Sequence, residues 1–351
     1  MEYVDQAAER LSEKIADAGG GTGLWLADEH PLADSVWQRL AASSTRLITG
    51  RYDQFMRAQR AGLTAYFSDF DLREPAQPFG DIYLRVPKER ALVHHLLNQA
   101  YRALPPGGRL HLAGSKNEGL KTHSRRAQEL FGGPLQTEKH GGIRILSLAK
   151  TTADNPPLAD AQYPQLRPLE LAAGEKPYWS KPGIYGWNKI DAGSQLLTDA
   201  LREHAPEAGC GTRVLDLGCG YGFLTRFAAA QQPAQLVATD SCCAALAATQ
   251  KNVPTAQVLA SDAGDRLTDR FDLILCNPPL HQGFAAAANT GLQRRFLANT
   301  RRLLKTPGQA WYVVHQFVPL ERLCHALQLD CQPITARAGF KVCALRRSRS
   351  R

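Results

Sequence analysis

Val214-Leu215-Asp216-Leu217-Gly218-Cys219-Gly220-Tyr221-Gly222 is an apolar strand running into a turn with glycine at every second position. Glycine supplies positive φ and lets backbone approach a ligand with no Cβ in the way. The stretch Phe223 to Ala230 reads as a helix whose N-terminus would face that ligand. The next apolar run, Leu236-Val237-Ala238-Thr239, ends at Asp240. Its position, roughly 20 residues past the glycines, is where a doubly wound α/β sheet puts the acid that binds ribose hydroxyls. A dinucleotide site would want G-x-G-x-x-G, the third glycine inside the helix. Here the spacing is G-x-G-x-G behind Asp216, a carboxylate that serves a cationic amino-acid moiety better than a pyrophosphate. Asp262, after Ala256-Gln257-Val258-Leu259, fits the place near an adenine amino group.

A second segment, Phe271-Asp272-Leu273-Ile274-Leu275-Cys276-Asn277-Pro278-Pro279-Leu280, reads as an apolar strand ending in Asn-Pro-Pro. An exocyclic amine on a purine, or a carboxamide, has a delocalised lone pair. It attacks only when its N–H bonds are gripped so that the nitrogen pyramidalises. The Asn277 amide oxygen and the Pro278 carbonyl can accept those two protons. Pro278 and Pro279 fix φ and stiffen the turn, so both acceptors stand in place before the substrate arrives. With a sulfonium as methyl donor no strong early base is needed, and orientation carries the step. The two segments together predict S-adenosylmethionine-dependent N-methyl transfer. The expected cofactor residues are Asp216, Gly218, Cys219, Gly220, Gly222, Asp240, Asp262 and Asn277. Asn277, Pro278 and Pro279 are the expected catalytic residues. Asn155-Pro156-Pro157 also occurs but follows no apolar strand, and reads as linker.

A chain of 351 residues exceeds the size at which one core usually keeps growing, so two domains are expected. Both halves alternate strand and helix and read as α/β. In the first half Thr45 to Thr49 is a strand, Tyr52 to Arg60 a helix and Thr64 to Phe67 a strand. The boundary falls at 151–177, where Asn155-Pro156-Pro157, Pro164, Pro168 and Pro177 give a linker composition. The expected domains are therefore 1–150 and 178–351. The halves also resemble each other. Gly80 to Pro87 parallels Phe271 to Pro278, with Val86 where the second half has Asn277, and His94 to Leu112 parallels Arg295 to Val313. The first half has no glycine turn like Gly218 to Gly222. The second half carries extra residues after Asn-Pro-Pro, expected as a substrate loop. This pattern reads as a duplicated fold in which only the C-terminal copy keeps the chemistry.

Net charge is +9 and the pI about 9.2, which favours an anionic partner. Basic clusters recur at Arg125-Arg126, Arg294-Arg295 and Arg301-Arg302 with Lys305. The run Arg346-Arg347-Ser348-Arg349-Ser350-Arg351 is the tail best suited to phosphate contact. All eight cysteines lie in the second half, none in C-x-x-C and none at metal spacing with histidines, so no metal is expected. Several sit inside apolar strands as small hydrophobes, in keeping with a reducing cytoplasm. The N-terminus is charged and no apolar run reaches about 18 residues, so neither signal peptide nor membrane span is expected.

Pro182-Gly183-Ile184-Tyr185-Gly186, followed by Lys189-Ile190-Asp191-Ala192-Gly193-Ser194-Gln195-Leu196-Leu197, resembles the segment that precedes the catalytic sheet in the bacterial small-subunit rRNA guanine-N2 methyltransferase C family. Asp216 to Gly222, Asn277 to His281 and Gly339-Phe340-Lys341-Val342 follow the same pattern. Gly114-Ser115-Lys116-Asn117-Glu118-Gly119 resembles a stretch of that family's inactive first domain. The resemblance covers nearly the whole chain. It implies two tandem Rossmann-like class I methyltransferase domains, the N-terminal one degenerate, binding no cofactor and helping to fold the protein or present RNA. It also implies methylation of guanine N2 in 16S rRNA, with the 30S ribosomal subunit as substrate. A monomer is expected. Leu280, His281 and Phe284 are the expected substrate contacts. The family has an aromatic after Asn-Pro-Pro, where this chain has Leu280. Either Phe284 supplies the ring or Leu280 packs the base.

The sister family acting on 23S rRNA shares the two-domain build and the Asn-Pro-Pro-aromatic-His pattern. The Asp191 to Gln195 segment favours the small-subunit family. A protein glutamine or DNA adenine N-methyltransferase would also use Asn-Pro-Pro, but the inactive N-terminal copy and basic tail argue against both. A nicotinamide oxidoreductase would need the other glycine spacing. A silent RNA-binding scaffold would tolerate loss of Asn277 or Asp216, and both are present.

Overall fold

The computed structural model describes residues 4–17, 22–72, 79–151, 155–170, 176–204, 211–279 and 286–348, with backbone alone at 16–17 and 286–290. The chain divides into two compact units, Met1–Gln165 and Leu166–Arg351.

In unit 1, α1 (Gln6–Asp17) precedes β1 (Gly23–Ala27), α2 (Asp34–Ala41), β2 (Arg46–Thr49), α3 (Tyr52–Arg60) and β3 (Ala65–Phe67). Then come β4 (Asp81–Arg85), α4 (Arg90–Ala103), β5 (Arg109–Ser115), α5 (Leu120–Phe131), β6 (Gln136–His140) and β7 (Ile143–Ala149). Among the described residues its strands form one sheet in the order β3-β2-β1-β4-β5-β7-β6. The first five are parallel, and β7 and β6 are antiparallel to their neighbours. Leu24, Trp25 and Leu26 of β1 are fully buried, as the central strand of a sheet covered on both faces requires.

A two-stranded antiparallel ribbon, β8 (Arg167–Leu169) with β9 (Tyr178–Ser180), opens unit 2. It is followed by α6 (Ala192–His204), β10 (Arg213–Leu217), α7 (Phe223–Ala229), β11 (Gln235–Asp240), α8 (Cys243–Asn252) and β12 (Gln257–Ala260). The unit ends with β13 (Phe271–Cys276), α9 (Ala286–Leu303), β14 (Leu304–His315), α10 (Leu320–Ala326), β15 (Leu329–Arg337) and β16 (Phe340–Arg347). The sheet order is β12-β11-β10-β13-β14-β16-β15, the same permutation as in unit 1. The connection order and the antiparallel last pair are thus repeated strand for strand, which is what duplication of one fold produces. Two apolar clusters hold this sheet: Leu215, Leu217, Ile274, Phe296 and Tyr312 in one, Val214, Leu273, Leu275, Trp311 and Val313 in the other. Each large side chain so buried contributes about 1.5–3 kcal/mol relative to exposure.

The register defines what became of each site position in unit 1. The last pairs of the two central strands are Ala27↔Thr49 and Leu217↔Thr239, so Leu26 stands where unit 2 has Asp216 and Gly50 where it has Asp240. Leu26↔Leu84 matches Asp216↔Leu275, which sets Val86 opposite Asn277 as the sequence predicts. In place of the glycine turn stand Asp28, Glu29 and His30. These three bring ligand atoms close enough for a metal, but His30 Nδ1 is hydrogen-bonded to Asp28 Oδ2 at 2.6 Å. The buried guanidinium of Arg85 fills the same end of the sheet, bonded to Asp5 and Glu118. Glu118 belongs to the 114–119 stretch singled out in the sequence, where it forms a capping box with Ser115.

The stretch expected as linker carries more structure than its prolines imply. Asn98 bonds Leu158 through both backbone groups, His94 Nδ1 meets the Ala159 carbonyl at 2.8 Å, and Tyr163 is buried in the core of unit 1. Asn155 is tied to the Leu130 carbonyl at 2.7 Å.

The basic run begins inside a strand. Arg346 and Arg347 belong to β16, paired with Asp330 and Leu329, because a strand at this position tolerates charge on its outward face; 349–351 lie outside the described residues. The other basic clusters are drawn into local pairs: Arg295 with Asp262, Lys305 with Asp272 at 2.8 Å, Arg126 with Glu129 at 2.9 Å. The described cysteines are free thiols. No helix among the described residues is long and apolar enough to cross a membrane.

Candidate active site

Of the expected cofactor residues, Gly218, Cys219, Gly220, Gly222 and Asp240 lie at the carboxyl ends of β10 and β11, adjacent parallel strands of unit 2, while Asp262 follows β12 and Asn277 follows β13. Gly218, Gly220 and Gly222 all have positive φ, at 87°, 55° and 87°. A Cβ on Gly222 would stand 3.0–3.2 Å from Thr249, including its Cα, so that glycine is required by packing; Gly220 faces open space. The turn is stapled from several sides. Gly218 and Cys219 both donate to the Thr239 carbonyl (2.8 and 2.9 Å), and Thr249 Oγ1 donates to the Gly220 carbonyl at 2.9 Å. Asn252 Nδ2 donates to the Tyr221 carbonyl at 2.6 Å. Asp240 Oδ2 accepts from Gly220 N at 2.9 Å and Oδ1 from Cys242 N at 2.8 Å, so the acid couples the glycine turn to the next helix while its remaining lone pairs stay available. Cys219 is buried, and burial pushes its thiol well above the ordinary range, so it packs rather than reacts.

Asp216 lies deeper than an acid reaching for a ligand would. It is 0 % exposed; Oδ2 accepts from Thr225 Oγ1 at 2.5 Å, and Oδ1 has no hydrogen-bond partner among the described residues. Burial, reinforced by the charge of Asp240 and partly offset by the Thr225 hydroxyl, pushes its carboxyl up to about 7. Asp262 is half-buried and ion-paired with Arg295 on α9.

Asn277 follows the last residue of β13, the strand on the other side of β10 from β11. Its side-chain nitrogen donates to Asp191 Oδ2 at 2.7 Å and to Ser194 Oγ at 2.8 Å. Asp191 lies immediately before α6 and also accepts from Ser194 N at 2.8 Å. Beside it stands Tyr185, 60 % exposed, with its hydroxyl 3.5 Å from Asp191 Oδ1. Partial burial of its hydroxyl end and the neighbouring Asp191 carboxylate raise that phenol above its usual range. The loop carrying Tyr185 is anchored by Ile184, packed in a cluster with Tyr178 and Tyr221, and by Tyr221 Oη donating to the Lys189 carbonyl at 3.1 Å. Pro278 is buried and Pro279 exposed. Leu280, His281 and Phe284 lie outside the described residues.

In the sequence Asp191 and Ser194 stand out only through a family resemblance, and their contact with Asn277 leaves no mark there. An Asp three residues before Ser at the start of an amphipathic helix is an N-cap signal, and that signal could have located Asp191. The link to Asn277, 86 residues away, needs the fold.

Residues 176–344 match the family model Methyltransferase small domain. A relative in Pseudomonas aeruginosa (strain UCBPP-PA14), ribosomal RNA small subunit methyltransferase C, is 30% identical over 305 residues, covering 83% of this chain and 87% of the relative. The chain belongs to the ribosomal RNA small subunit methyltransferase C family. The family member from Erwinia tasmaniensis is 25% identical, with 91% of each chain covered. Among solved structures, the T. thermophilus 16S rRNA guanine-1207 N2 methyltransferase (RsmC), in complex with AdoMet and guanosine, matches with a TM-score of 0.83. It is 27% identical, covering 99% of this chain and 93% of the other. Membership agrees with the tandem α/β architecture expected from the sequence.

Proposed function

We propose that this protein transfers a methyl group from S-adenosylmethionine to N2 of one guanine of 16S rRNA, the counterpart of guanine 1207, in the assembled 30S subunit. The observation that carries the reading is the placement of the glycine turn, Asp240 and Asn277 at the carboxyl ends of β10, β11 and β13, where open α/β sheets bind ligands. The residues present fit the cofactor. The open space at Gly220 admits backbone contact, Asp240 keeps acceptor capacity for ribose hydroxyls, and Asp262 lies at the end of the next strand for the adenine amino group. The buried, half-satisfied Asp216 offers its field to a cation beyond the turn. When bound, the cofactor supplies the electrophilic methyl. Asn277 Oδ1 and the Pro278 carbonyl accept the two protons of the guanine amine and present its lone pair. Either Leu280 or Phe284 contacts the base on this reading, with His281 and the exposed ring of Tyr185 beside it. Unit 1 retains the sheet but has Leu26, Gly50 and Val86 at the three polar positions and Arg85 in its cleft. That supports a role in RNA recognition and folding without cofactor. The protein works as a cytoplasmic monomer.

The cation at the turn has a measurable consequence. It favours ionised Asp216, whose carboxyl is held up to about 7 without it. Binding S-adenosylmethionine should therefore release protons below that value. Calorimetry at about pH 6 in two buffers of different ionisation enthalpy should read release of up to about one proton per cofactor. Affinity should rise with pH and level off above about 7, and Asp216→Asn should abolish the proton release. Equal apparent enthalpies in the two buffers would remove Asp216 from the cofactor's surroundings.

The substrate class is tested by offering purified 30S subunits, 50S subunits and naked 16S rRNA with labelled cofactor. Label should enter 30S subunits first. Transfer to 50S subunits alone would move the activity to 23S rRNA.

A further inference from the structure

The geometry points to Asp191 and Ser194 as positioning residues that lock the Asn277 amide with its oxygen toward the substrate. This rests on the reading of Asn277 as the group that grips the target amine. A carboxamide has two donors on nitrogen and acceptor capacity on oxygen. Both Asn277 donors are spent, one on Asp191 Oδ2 at 2.7 Å and one on Ser194 Oγ at 2.8 Å. The serine hydroxyl could serve either orientation of the amide, because it donates and accepts. Asp191 cannot: an ionised carboxylate only accepts, and a flipped amide would set oxygen against oxygen. The carboxylate thus decides which way Asn277 points. Among the described residues Oδ1 accepts no hydrogen bond, which leaves it for the incoming N–H.

Asp191 is itself held. The same Oδ2 accepts from Ser194 N at 2.8 Å, an N-cap contact at the head of α6, where negative charge is favoured. Gly193 lets the two partners close in, since a Cβ there would stand 3.0 Å from Asp191 Oδ2 and 3.1 Å from the Phe340 ring. Unit 1 supplies the contrast. Asp5 sits at the corresponding place before α1 and caps it through Ala8 N at 2.7 Å. Its partner there is the Arg85 guanidinium, and Val86 stands where Asn277 would be. The capping carboxylate occurs in both copies, but only in unit 2 does it hold an amide.

Two consequences follow for catalysis. With no free donor, Asn277 accepts an amine and repels a carbonyl or a bare ring nitrogen, so the site selects an exocyclic amino group. A charge-assisted N–H···O⁻ bond behind the amide also polarises it, placing more negative charge on Oδ1 where the attacking nitrogen becomes positive.

The test is a double-mutant cycle on the full-length protein. Single-turnover methylation of 30S subunits and calorimetric cofactor affinity are measured for Ser194→Ala, Asp191→Asn, Asn277→Ala and the two pairs containing Asn277→Ala. Asp191→Asn keeps an acceptor and a good N-cap while removing the charge, so it separates positioning from folding. Each of the first two variants should slow methyl transfer by about 10-fold, the scale of one ordinary hydrogen bond acting through a residue that itself touches the substrate. Melting temperature and cofactor affinity should be unchanged. In the Asn277→Ala background neither should slow the step further. Losses that multiply in that background, or single variants at the wild-type rate, would overturn the positioning role while leaving the amine-gripping reading intact. A wild-type rate for Asn277→Ala would instead overturn that reading and this inference with it.

Discussion

Asn277→Ala should lower the single-turnover rate of methyl transfer by on the order of 100-fold or more, the cost of losing one preorganised polar group at a reacting centre. Cofactor and RNA affinities should change little. The amide oxygen grips the amine most strongly as the nitrogen rehybridises, so its contribution grows toward the transition state. Rapid mixing of pre-formed enzyme–cofactor complex with excess 30S subunits separates this step from product release. If the rate and cofactor affinity fall together, Asn277 is a wall of the cofactor site and the Asn-Pro-Pro turn does not handle the amine.

The second large effect falls on the cofactor. Asp240→Ala should weaken S-adenosylmethionine binding by roughly 1–3 kcal/mol, or about 5- to 150-fold in Kd. The variant removes the proposed acceptor for the ribose hydroxyls. It also strips Gly220 N and Cys242 N of their partner, so the turn that receives the cofactor loosens as well. Asp240→Asn keeps one acceptor oxygen but turns a donor toward one of those N–H groups, and should recover only part of the loss. Calorimetry on both variants checks the ranking. Wild-type affinity in Asp240→Ala would place the ribose elsewhere.

Much of the fold is legible in the sequence for simple physical reasons. Parallel strands buried on both faces read as unbroken apolar runs, so Val214 to Leu217, Leu236 to Thr239 and Phe271 to Cys276 declare themselves as β10, β11 and β13. The helix expected around Tyr52 to Arg60 is α3. Charge and proline are less reliable guides. Arg346 and Arg347 have a tail's composition, yet the strand they end is fixed by buried Val342, Cys343 and Leu345. The proline-rich stretch before residue 165 is held by Asn98 and His94, whose hydrogen bonds to backbone 60 and 65 residues away leave no local signal.

The candidate site divides in the same way. Residues proposed to act through their own backbone or strand position, such as Gly218, Gly220, Gly222, Asp240 and Asn277, are visible because the pattern that marks them lies within a few neighbours. Residues that act by meeting another segment are not. Asp191 and Ser194 reach Asn277 only because α6 starts where β13 ends, and Arg295 reaches Asp262 from α9. Asp216 was legible as an acid but not as one sealed from solvent, since its depth is set by Thr225 and the surrounding sheet.

The central claim is that Asn277 presents the exocyclic amine of a guanine to the cofactor's methyl group. It is tested most directly by chemical identification of the product. Purified 30S subunits are incubated with the protein and labelled S-adenosylmethionine, the 16S rRNA is digested to nucleosides, and the label is assigned by chromatography and mass. The account predicts N2-methylguanosine as the single labelled nucleoside, formed by the wild-type protein and nearly absent with Asn277→Ala. Label on adenosine, on a ring nitrogen of guanosine, or equally abundant with Asn277→Ala would contradict it.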